Sequence, residues 1–302
     1  MKEKTLIVLV GPTAIGKTAL SIEIAKAFNT EIISADSRQF FMELNIGTAK
    51  PSQEEIKQVP HHLVGQLSIC EDYNVGKFEI DALEIINRIF TTNNTCILTG
   101  GSGLYINAVC SGFDDLPPID ASIRENLNEK LQEKGIEYLQ DLLKELDPEY
   151  FISVDINNPQ RIIRALEVCL STGKSFSSFR KGQTKVRDFN ILKIGLDMER
   201  PELYQRINSR VDKMMQLGLA QEVKSLTDYQ QKNALQTVGY KEFFDYYDGK
   251  NSLDNTIELI KQNTRRYAKR QLTWFRKDKE INWFKPNQQA EIISFIKQKI
   301  NA

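Results

Sequence analysis

Residues 5–18 read TLIVLVGPTAIGKT, an apolar run followed by a glycine-rich loop. The loop fits the phosphate-binding pattern G-x-x-x-x-G-K-[ST], and the run TALSIEIAKAF that continues it predicts a helix. In such a strand–loop–helix unit, backbone N–H groups converge on phosphate oxygens at the helix N-terminus. The residues predicted to bind phosphate are Gly11, Pro12, Thr13, Ala14, Ile15, Gly16, Lys17 and Thr18.

Two side chains of this loop add chemistry of their own. Lys17 is expected to neutralise phosphate charge, and the Thr18 hydroxyl is expected to ligate Mg²⁺, the one cofactor that the sequence predicts. A glycine turn that binds nothing is the alternative. The loop does not identify the phosphorylated compound, because this fold hosts many chemistries.

Three apolar runs, at residues 5–10, 30–35 and 95–100, alternate with helical patterns. This rhythm predicts an α/β fold, a P-loop NTPase-like parallel sheet flanked by helices. Further strands are predicted at 190–198 and in the INWF segment near residue 284, and a long helix at 254–277. The apolar positions of that helix fit a buried stripe: Ile257, Ile260, Tyr267, Trp274 and Phe275.

The segment between the third and fourth strands has leucines and isoleucines at helical spacing and no strand pattern. It therefore predicts a helical insertion domain at 116–187, within a discontinuous P-loop core formed by residues 1–115 and 188–302.

Composition limits the class of protein. The chain has 302 residues, of which 41% are hydrophobic, and 40 basic residues balance 40 acidic ones. Net charge therefore gives no hint of a nucleic-acid or membrane partner, and a basic surface must be local. The first residues fit a buried strand better than a signal peptide or a membrane span, so we expect a cytoplasmic protein without membrane association, acting as a monomer.

The four cysteines show no C-x-x-C spacing and the chain has two histidines, which argues against a zinc site. We expect reduced thiols, with Cys96 in a strand.

Two other predicted strands also end in distinctive loops. The second ends in SADSRQ at residues 34–39 and the third in GGSGLY at residues 100–105. Each could be a purely structural turn, since Ser, Asp and Gly are common turn residues. Three such loops at the carboxyl edge of one parallel sheet, however, favour a ligand site there.

Seven motifs resemble, in order, those of the bacterial tRNA dimethylallyltransferase family, also called tRNA isopentenyltransferases. They are GPTAIGKT, SADSRQ, GTAKP with HHL, GGSGLY, NPQRIIRALEV, RINSRVDKMMQLGL and YAKRQLTWFR, which extend from about residue 6 to 276. The resemblance implies transfer of a dimethylallyl group from dimethylallyl diphosphate to N6 of adenosine 37, next to the anticodon of tRNA, with Mg²⁺. The loop would then hold a diphosphate leaving group, and the RNA partner would be the anticodon stem-loop.

This reaction sets chemical demands that the motifs can meet. The adenine amine is a poor nucleophile, so attack on the allylic carbon calls for a base, and Asp36 is the candidate. The resemblance implies that Asp36 contacts N6 and that the Ser102 hydroxyl hydrogen-bonds nearby. Most family members have threonine where this chain has Ser102, which keeps the hydroxyl. Arg210 would stabilise the departing diphosphate, with a surface salt bridge as its alternative role.

The same resemblance implies contacts with tRNA, whose target base must leave its stack to react. The predicted tRNA-binding residues include Asp36, Ser37, Arg38, Gln39 and Ser102 from the core, and Arg124, Gln160, Arg161 and Arg164 from the insertion.

Two local basic segments fit an RNA partner. Residues 261–279 carry eight cations, and Arg265, Arg266, Lys269 and Arg270 are predicted to form a basic helix face that tracks phosphates. Residues 158–187 carry seven cations around Phe176 and Phe179, which could stack on bases or simply pack. A solvated helix face is the alternative reading of the first segment.

Three other functions remain open at this point. A P-loop kinase would use the loop for a nucleotide, such as ATP, but leaves the SADSRQ and GGSGLY loops unexplained. A prenyltransferase acting on free adenine nucleotides would not need the second basic segment. A non-catalytic, nucleotide-switched RNA-binding module would not need the Asp36 carboxylate.

Overall fold

The computed structural model describes residues 3–112, 114, 120–180 and 184–300. Within these residues, six parallel strands form one sheet: β1 (Thr5–Val10), β2 (Ile32–Ser34), β3 (His61–His62), β4 (Thr95–Gly100), β5 (Asn190–Leu196) and β6 (Asn282–Phe284). Their order across the sheet is β3-β2-β4-β1-β5-β6.

Twelve α-helices occur in the same described part of the chain. They are α1 (Lys17–Phe28), α2 (Gln53–Gln58), α3 (Val75–Ile89), α4 (Gly103–Ser111), α5 (Ala121–Leu146), α6 (Pro148–Ser153), α7 (Pro159–Thr172), α8 (Arg200–Gln216), α9 (Leu219–Lys224), α10 (Lys241–Tyr247), α11 (Leu253–Phe275) and α12 (Gln289–Ile300).

Strand β1 is buried along its whole length, and its side chains alternate between two hydrophobic cores. Leu6, Val8 and Val10 pack with residues of α3 and α4. Ile7 and Leu9 pack with residues of α1, α8 and α12. The predicted parallel sheet flanked by helices is thereby confirmed.

The sheet register brings the ends of three strands together. Val10 at the end of β1 pairs with Gly100 at the end of β4, and Ser34 at the end of β2 pairs with Thr99. Because the strands are parallel, the loops that follow them leave the same edge of the sheet.

The chain divides into two compact units. One comprises Met1–Ser111 with Val186–Ala302 and contains the sheet; the other is Gly112–Lys185, with helices α5 to α7 around a core that includes Leu139, Leu166 and Phe176. The predicted role of residues 116–187 as a tRNA-contacting domain stays a prediction.

Most predicted elements are present, with shorter ends. Strands at 5–10 and 95–100 are confirmed, while the runs 30–35 and 190–198 form strands only at Ile32–Ser34 and Asn190–Leu196. Strand β3 was not predicted, because two histidines have no strand-like apolar pattern. The four cysteines are free thiols, and Cys96 lies in β4.

One prediction about the core is wrong. Trp274 was expected in the buried stripe of α11, but 40% of its surface is exposed, whereas Ile260 and Phe275 of that stripe are buried. Helical spacing alone could not separate the face that packs on the core from the face beside it. Among the described residues, no helix has the length and apolar character needed to cross a membrane.

Candidate active site

The phosphate loop lies between β1 and α1 and depends on unusual backbone angles. Gly11 has φ +152° and Gly16 has φ +105°, values that side chains disfavour. A Cβ on Gly11 would also lie 3.0 Å from the carbonyl oxygen of Leu196 in β5. The sequence pattern therefore requires glycine at these positions for a physical reason.

Lys17 begins α1 and turns its amine back onto the loop. Its Nζ donates hydrogen bonds to the carbonyl oxygens of Gly11 and Pro12, each at 2.9 Å. Burial lowers the pKa of Lys17 to about 8; the Asp36 carboxylate opposes that shift and the Arg210 cation adds to it. These effects place Lys17, Asp36 and Arg210 within electrostatic reach of one another.

The loop after β2 is hydrogen-bonded to the turn after β4. The Ser37 amide donates to Ser102 Oγ at 3.0 Å, and Ser102 Oγ donates to Ser37 Oγ at 3.2 Å. Asp36 Oδ1 accepts from the Arg38 amide at 3.0 Å, which fixes the carboxylate on its own loop. The two predicted catalytic groups, Asp36 and Ser102, thus belong to neighbouring, mutually bonded loops.

The glycines of the GGSG turn permit close packing on two sides. A Cβ on Gly100 would lie 2.3 Å from the Ala35 carbonyl oxygen, and one on Gly101 would lie 2.1 Å from Gln271 Nε2. Gln271, buried on α11, accepts from the Thr13 amide at 2.9 Å and donates to the Gly101 carbonyl at 3.0 Å. One side chain thereby joins the phosphate loop to the turn that carries Ser102.

These loops and two helices line a cavity of about 410 Å³. Its lining includes the phosphate loop from Thr13 to Thr18, the SADSRQ loop and side chains of α8 and α11. The charged and hydroxyl groups relevant to chemistry are Lys17, Thr18, Asp36, Arg38, Arg206, Arg210 and Tyr267.

Arg210 faces this cavity from α8. Its guanidinium donates to the Thr48 carbonyl at 3.4 Å, and desolvation lowers its pKa while Asp36 raises it. Desolvation and the contact with the Thr48 carbonyl do not fit the alternative of a surface salt bridge, and no ion pair to Arg210 occurs among the described residues. Arg38 is similarly desolvated, which lowers its pKa.

Arg206, Tyr267, Gln271 and His61 line the cavity but were not predicted as site residues. Arg206 lies one helical turn before the predicted Arg210, so i, i+4 spacing was an available signal for Arg206. No local signal indicates Tyr267 and Gln271, which lie one turn apart on α11. Burial, followed by the charge of Asp36, raises the pKa of Tyr267 to about 12. His61 also lines the cavity. Its Nδ1 donates to the Val59 carbonyl at 2.8 Å, and its buried Nε2 has no hydrogen-bond partner among the described residues.

Gln39 lines the cavity but uses its amide within the protein. It accepts from Ser34 Oγ at 3.1 Å and donates to the carbonyl oxygens of Thr48 and Ala49, each at 3.2 Å. Glu222 of α9 holds the start of the GTAKP segment and the two residues before it, by accepting from the amides of residues 45, 46 and 47 at 2.8–3.1 Å. The segment whose Thr48 carbonyl accepts from Arg210 is therefore anchored by both Gln39 and Glu222.

The predicted RNA-contacting residues of α11 differ in their surroundings. Arg265 donates to Asn208 at 2.7 Å and Arg266 donates to Asn263 at 3.2 Å. Arg270 lies over the Tyr267 ring, 5.8 Å from its centre, and Lys269 is exposed.

In the Gly112–Lys185 unit, the predicted residues are found on α5 and α7. Arg124 and Arg164 both hydrogen-bond to Glu167, whose carboxylate is buried, and this contact raises the pKa of Arg124. Gln160 and Arg161 are exposed in the first turn of α7. The ring centres of Phe176 and Tyr150 lie 4.8 Å apart. Phe176 therefore packs within the protein, which is one of the two roles predicted for it.

The donor set at the phosphate loop fits Mg²⁺ chemistry. No group of three or more His, Cys, Asp or Glu side chains among the described residues could form a protein-only metal site. Mg²⁺ commonly uses one or two protein oxygens together with phosphates and water, and Thr18 and Asp36 both line the cavity. A metal held mainly by a bound diphosphate is compatible with these residues.

Comparisons with known proteins agree with this geometry. Residues 39–278 match the family model described as IPP transferase. The chain is 50% identical to a tRNA dimethylallyltransferase 1 of Bacteroides thetaiotaomicron over 97% of this chain and 95% of that protein, and 51% identical to a tRNA dimethylallyltransferase of Christiangramia forsetii over 98% of each.

Solved structures give the same result. A tRNA isopentenylpyrophosphate transferase of Bacillus halodurans superposes with a TM-score of 0.73 at 40% identity, over 99% of this chain and 97% of that one. A eukaryotic dimethylallyltransferase acting on tRNA superposes with a TM-score of 0.78 at 28% identity, over 94% of this chain and 74% of that one. The chain belongs to the IPP transferase family.

Proposed function

We propose that this protein transfers a dimethylallyl group from dimethylallyl diphosphate to N6 of adenosine 37 in tRNA, forming N6-isopentenyladenosine and releasing diphosphate. The observation that carries the proposal is the convergence of Asp36, Ser102 and the phosphate loop at one edge of the sheet, beside Arg210. Family membership supplies the reaction class.

Asp36 is the proposed base. Its Oδ1 is engaged by the Arg38 amide, while Oδ2 makes no hydrogen bond with the residues that the structure describes. As the N6 nitrogen attacks the allylic carbon, its proton moves to this carboxylate, which is worth about 10²- to 10⁴-fold in rate. Ser102, which is hydrogen-bonded to Ser37, is proposed to orient the amine.

Positive groups that line the same cavity are proposed to receive the leaving diphosphate. Lys17 and Arg210 supply cations, and the amides of the phosphate loop supply donors that are already oriented before charge develops. When bound, Mg²⁺ would neutralise diphosphate charge, with the Thr18 hydroxyl as its proposed protein ligand.

The RNA is proposed to bind through Ser37, Arg38 and Gln39 beside the target base and through the cations of α7 and α11. Among these residues, Arg38 is the best candidate for a contact with the base. It lines the cavity and interacts electrostatically with Asp36 and Tyr267. In the other unit, Gln160, Arg161, Arg164 and Arg124 are proposed to contact the anticodon stem-loop.

The test is a transfer assay with radiolabelled dimethylallyl diphosphate, Mg²⁺ and tRNA that lacks the modification, with AMP and ATP in parallel reactions. Asp36→Asn keeps the shape of the side chain but cannot accept the proton, so kcat is expected to fall by about 10²- to 10⁴-fold while RNA binding persists. Asp228→Asn, on an exposed carboxylate, is the matched control.

The outcomes separate the competing functions. Label that enters only AMP would identify a free-nucleotide prenyltransferase, and ATP consumption without label transfer would identify a kinase. Full activity in Asp36→Asn would show that Asp36 is not the base. A chelator is expected to abolish label transfer and added Mg²⁺ to restore it. This result would show that the reaction requires the metal.

A further inference from the structure

Helices α8 and α11 run antiparallel along the active-site cavity. Arg265 donates to Asn208 at 2.7 Å, and Lys261 pairs with Asp212 at 2.8 Å, so residue numbers fall along α11 as they rise along α8. The same pairing, continued at helical spacing, brings residue 206 about level with 267, residue 210 with 264 and residue 214 with 260. All six of these positions line the cavity.

The cavity-lining side chains of the two helices change from charged to apolar along the helix axis. On α8 they follow one another at i, i+4 and i+8, over about 12 Å of helix: Arg206, Arg210 and Met214. On α11 the partners at the same levels are Tyr267, Thr264 and Ile260. The charged end lies at the phosphate loop, because a Cβ on Gly16 would lie 3.7 Å from the Arg206 guanidinium.

The other end of this row is an apolar part of the cavity, which we call the apolar bay. Its side chains are hydrocarbon or thioether groups that belong to one hydrophobic cluster: Val211, Met214, Leu219, Val238 and Ile260. The neighbouring Thr264 hydroxyl donates to the Ile260 carbonyl of its own helix at 2.7 Å, so its proton is already used. The bay therefore favours a hydrocarbon ligand.

The bay is closed behind Met214. Met214, Leu219 and Ile260 are themselves buried, and they pack in the same cluster as Leu235 and Phe243, which are fully buried. A close-packed core does not yield several ångströms to a ligand without cost. The floor of the bay therefore sets a limit on how far an apolar group can extend from the phosphate loop.

A prenyl diphosphate has the same order of polarity as this row of side chains. With its diphosphate at the phosphate loop and Arg206, its first carbon lies toward Arg210 and its branched tail toward the bay. A nucleobase fits the bay less well, because its ring nitrogens would face apolar side chains without hydrogen-bond partners.

We propose that the apolar bay receives the hydrocarbon tail of the prenyl donor and that Met214, as its floor, limits that tail to five carbons. The inference rests on the proposed function in one respect, that a prenyl diphosphate is the donor. A second isoprene unit would add four chain bonds, about 5 Å at C–C bond lengths near 1.5 Å, which is nearly one helical turn. The packed core behind Met214 has no such space.

The test is a series of donors of increasing length, measured without RNA. Dimethylallyl diphosphate and homologues with one, two or three extra methylenes at the end of the tail are titrated by calorimetry in the presence of Mg²⁺. In the unaltered protein, the first extra methylene is expected to weaken binding by about 10- to 200-fold.

Met214→Ala should move this limit. The substitution removes three heavy atoms from the floor, so the loss of affinity should begin only with the longer homologues. Met215→Ala is the matched control, because Met215 packs in the same cluster but does not line the cavity. It should leave the limit unchanged, and the affinity for inorganic diphosphate should be the same in all variants.

A milder substitution covers the risk that Met214→Ala is poorly folded. Met214→Val shortens the side chain by two atoms along its length while keeping most of its volume, so it should move the limit by less. A limit that stays in place in folded Met214→Ala and Met214→Val would overturn the proposal. So would equal affinity of the unaltered protein for all four donors.

The two proposals fail in different ways. Label transfer to tRNA by a protein that accepts every tail length would retain the function and reject the bay. A length limit that moves with Met214, in a protein that transfers no label to tRNA, would retain the bay and reject the reaction.

Discussion

Lys17 is expected to give the site its pH dependence, because its amine has a pKa of about 8. The charged amine is the form that attracts diphosphate. As pH rises through about 8 the free protein loses this charge, so the Kd for dimethylallyl diphosphate should rise, by about tenfold one pH unit above the pKa. Calorimetric titrations between pH 6.5 and 9.5 measure this change.

Lys17→Arg is the control, since a guanidinium stays charged across that range. Its affinity should follow only the ionisation of the diphosphate itself. Identical pH profiles for the two proteins would show that Lys17 does not titrate in the binding reaction.

Ser102 provides a second prediction for a single residue. Its Oγ accepts from the Ser37 amide, so Ser102→Ala leaves that donor without its partner and removes the hydroxyl that is proposed to contact the substrate. We expect a fall in kcat together with a loss of stability of about 1–3 kcal/mol. Ser102→Thr keeps the oxygen and should restore both, as measured by single-turnover transfer and urea unfolding.

At the scale of elements, Glu222 of α9 is expected to set the position of the GTAKP segment. Its carboxylate accepts from three consecutive amides and from the Tyr240 hydroxyl at 2.6 Å, and burial together with this carboxylate raises the pKa of Tyr240. Glu222→Ala should reduce the free energy of unfolding by about 2–3 kcal/mol, because several donors lose a charged acceptor.

The activity of the same variant tests whether this anchor matters for catalysis. The anchored segment presents the Thr48 carbonyl to Arg210, so kcat should fall even at temperatures where the variant remains folded. Glu258→Ala, on an exposed side chain paired with Lys261, should change stability by less than about 0.5 kcal/mol and leave kcat unchanged.

At the scale of the whole molecule, a chain of zero formal net charge is expected to bind RNA through local cations. Lys269→Gln combined with Arg270→Gln should lower the slope of log K against log salt concentration by about 1.4, if both residues contact phosphates of a single-stranded loop. Filter binding at several salt concentrations measures the slope. Lys250→Gln combined with Lys297→Gln removes equal charge from the loop after α10 and from α12, and should leave the slope unchanged.

The fold was largely predictable because its signals are local. The β1 strand, the phosphate loop and α1 follow from one stretch of apolar periodicity and glycine spacing. Strand β1 has the predicted bounds, and α1 begins one residue earlier than predicted. Strand β3 escaped prediction because its two histidines gain their strand geometry from pairing with β2, which is a tertiary effect.

The site was predictable where motifs follow strands and less so where helices contribute single residues. Asp36 and Ser102 follow strand ends, so the parallel sheet places them together. Gln271 and Tyr267 reach the cavity because α11 packs across the loops, and nothing in the local sequence gives that packing. The exposure of Trp274 escaped prediction for the same reason, since it depends on which side of α11 the GGSG turn occupies.

The central position of β1 also constrains the order of folding. Residue 5 pairs with residue 95 in β4 and with residue 190 in β5, so the second pairing closes a very long stretch of chain. Helices α5 to α7 contact one another locally and are expected to form early. Gly11 packs on the Leu196 carbonyl at the end of β5, so the phosphate loop can reach its native shape only after β5 has joined the sheet. Diphosphate binding in a refolding experiment should therefore appear no earlier than the phase in which β5 joins the sheet, and a nascent chain that ends before residue 196 should not bind dimethylallyl diphosphate.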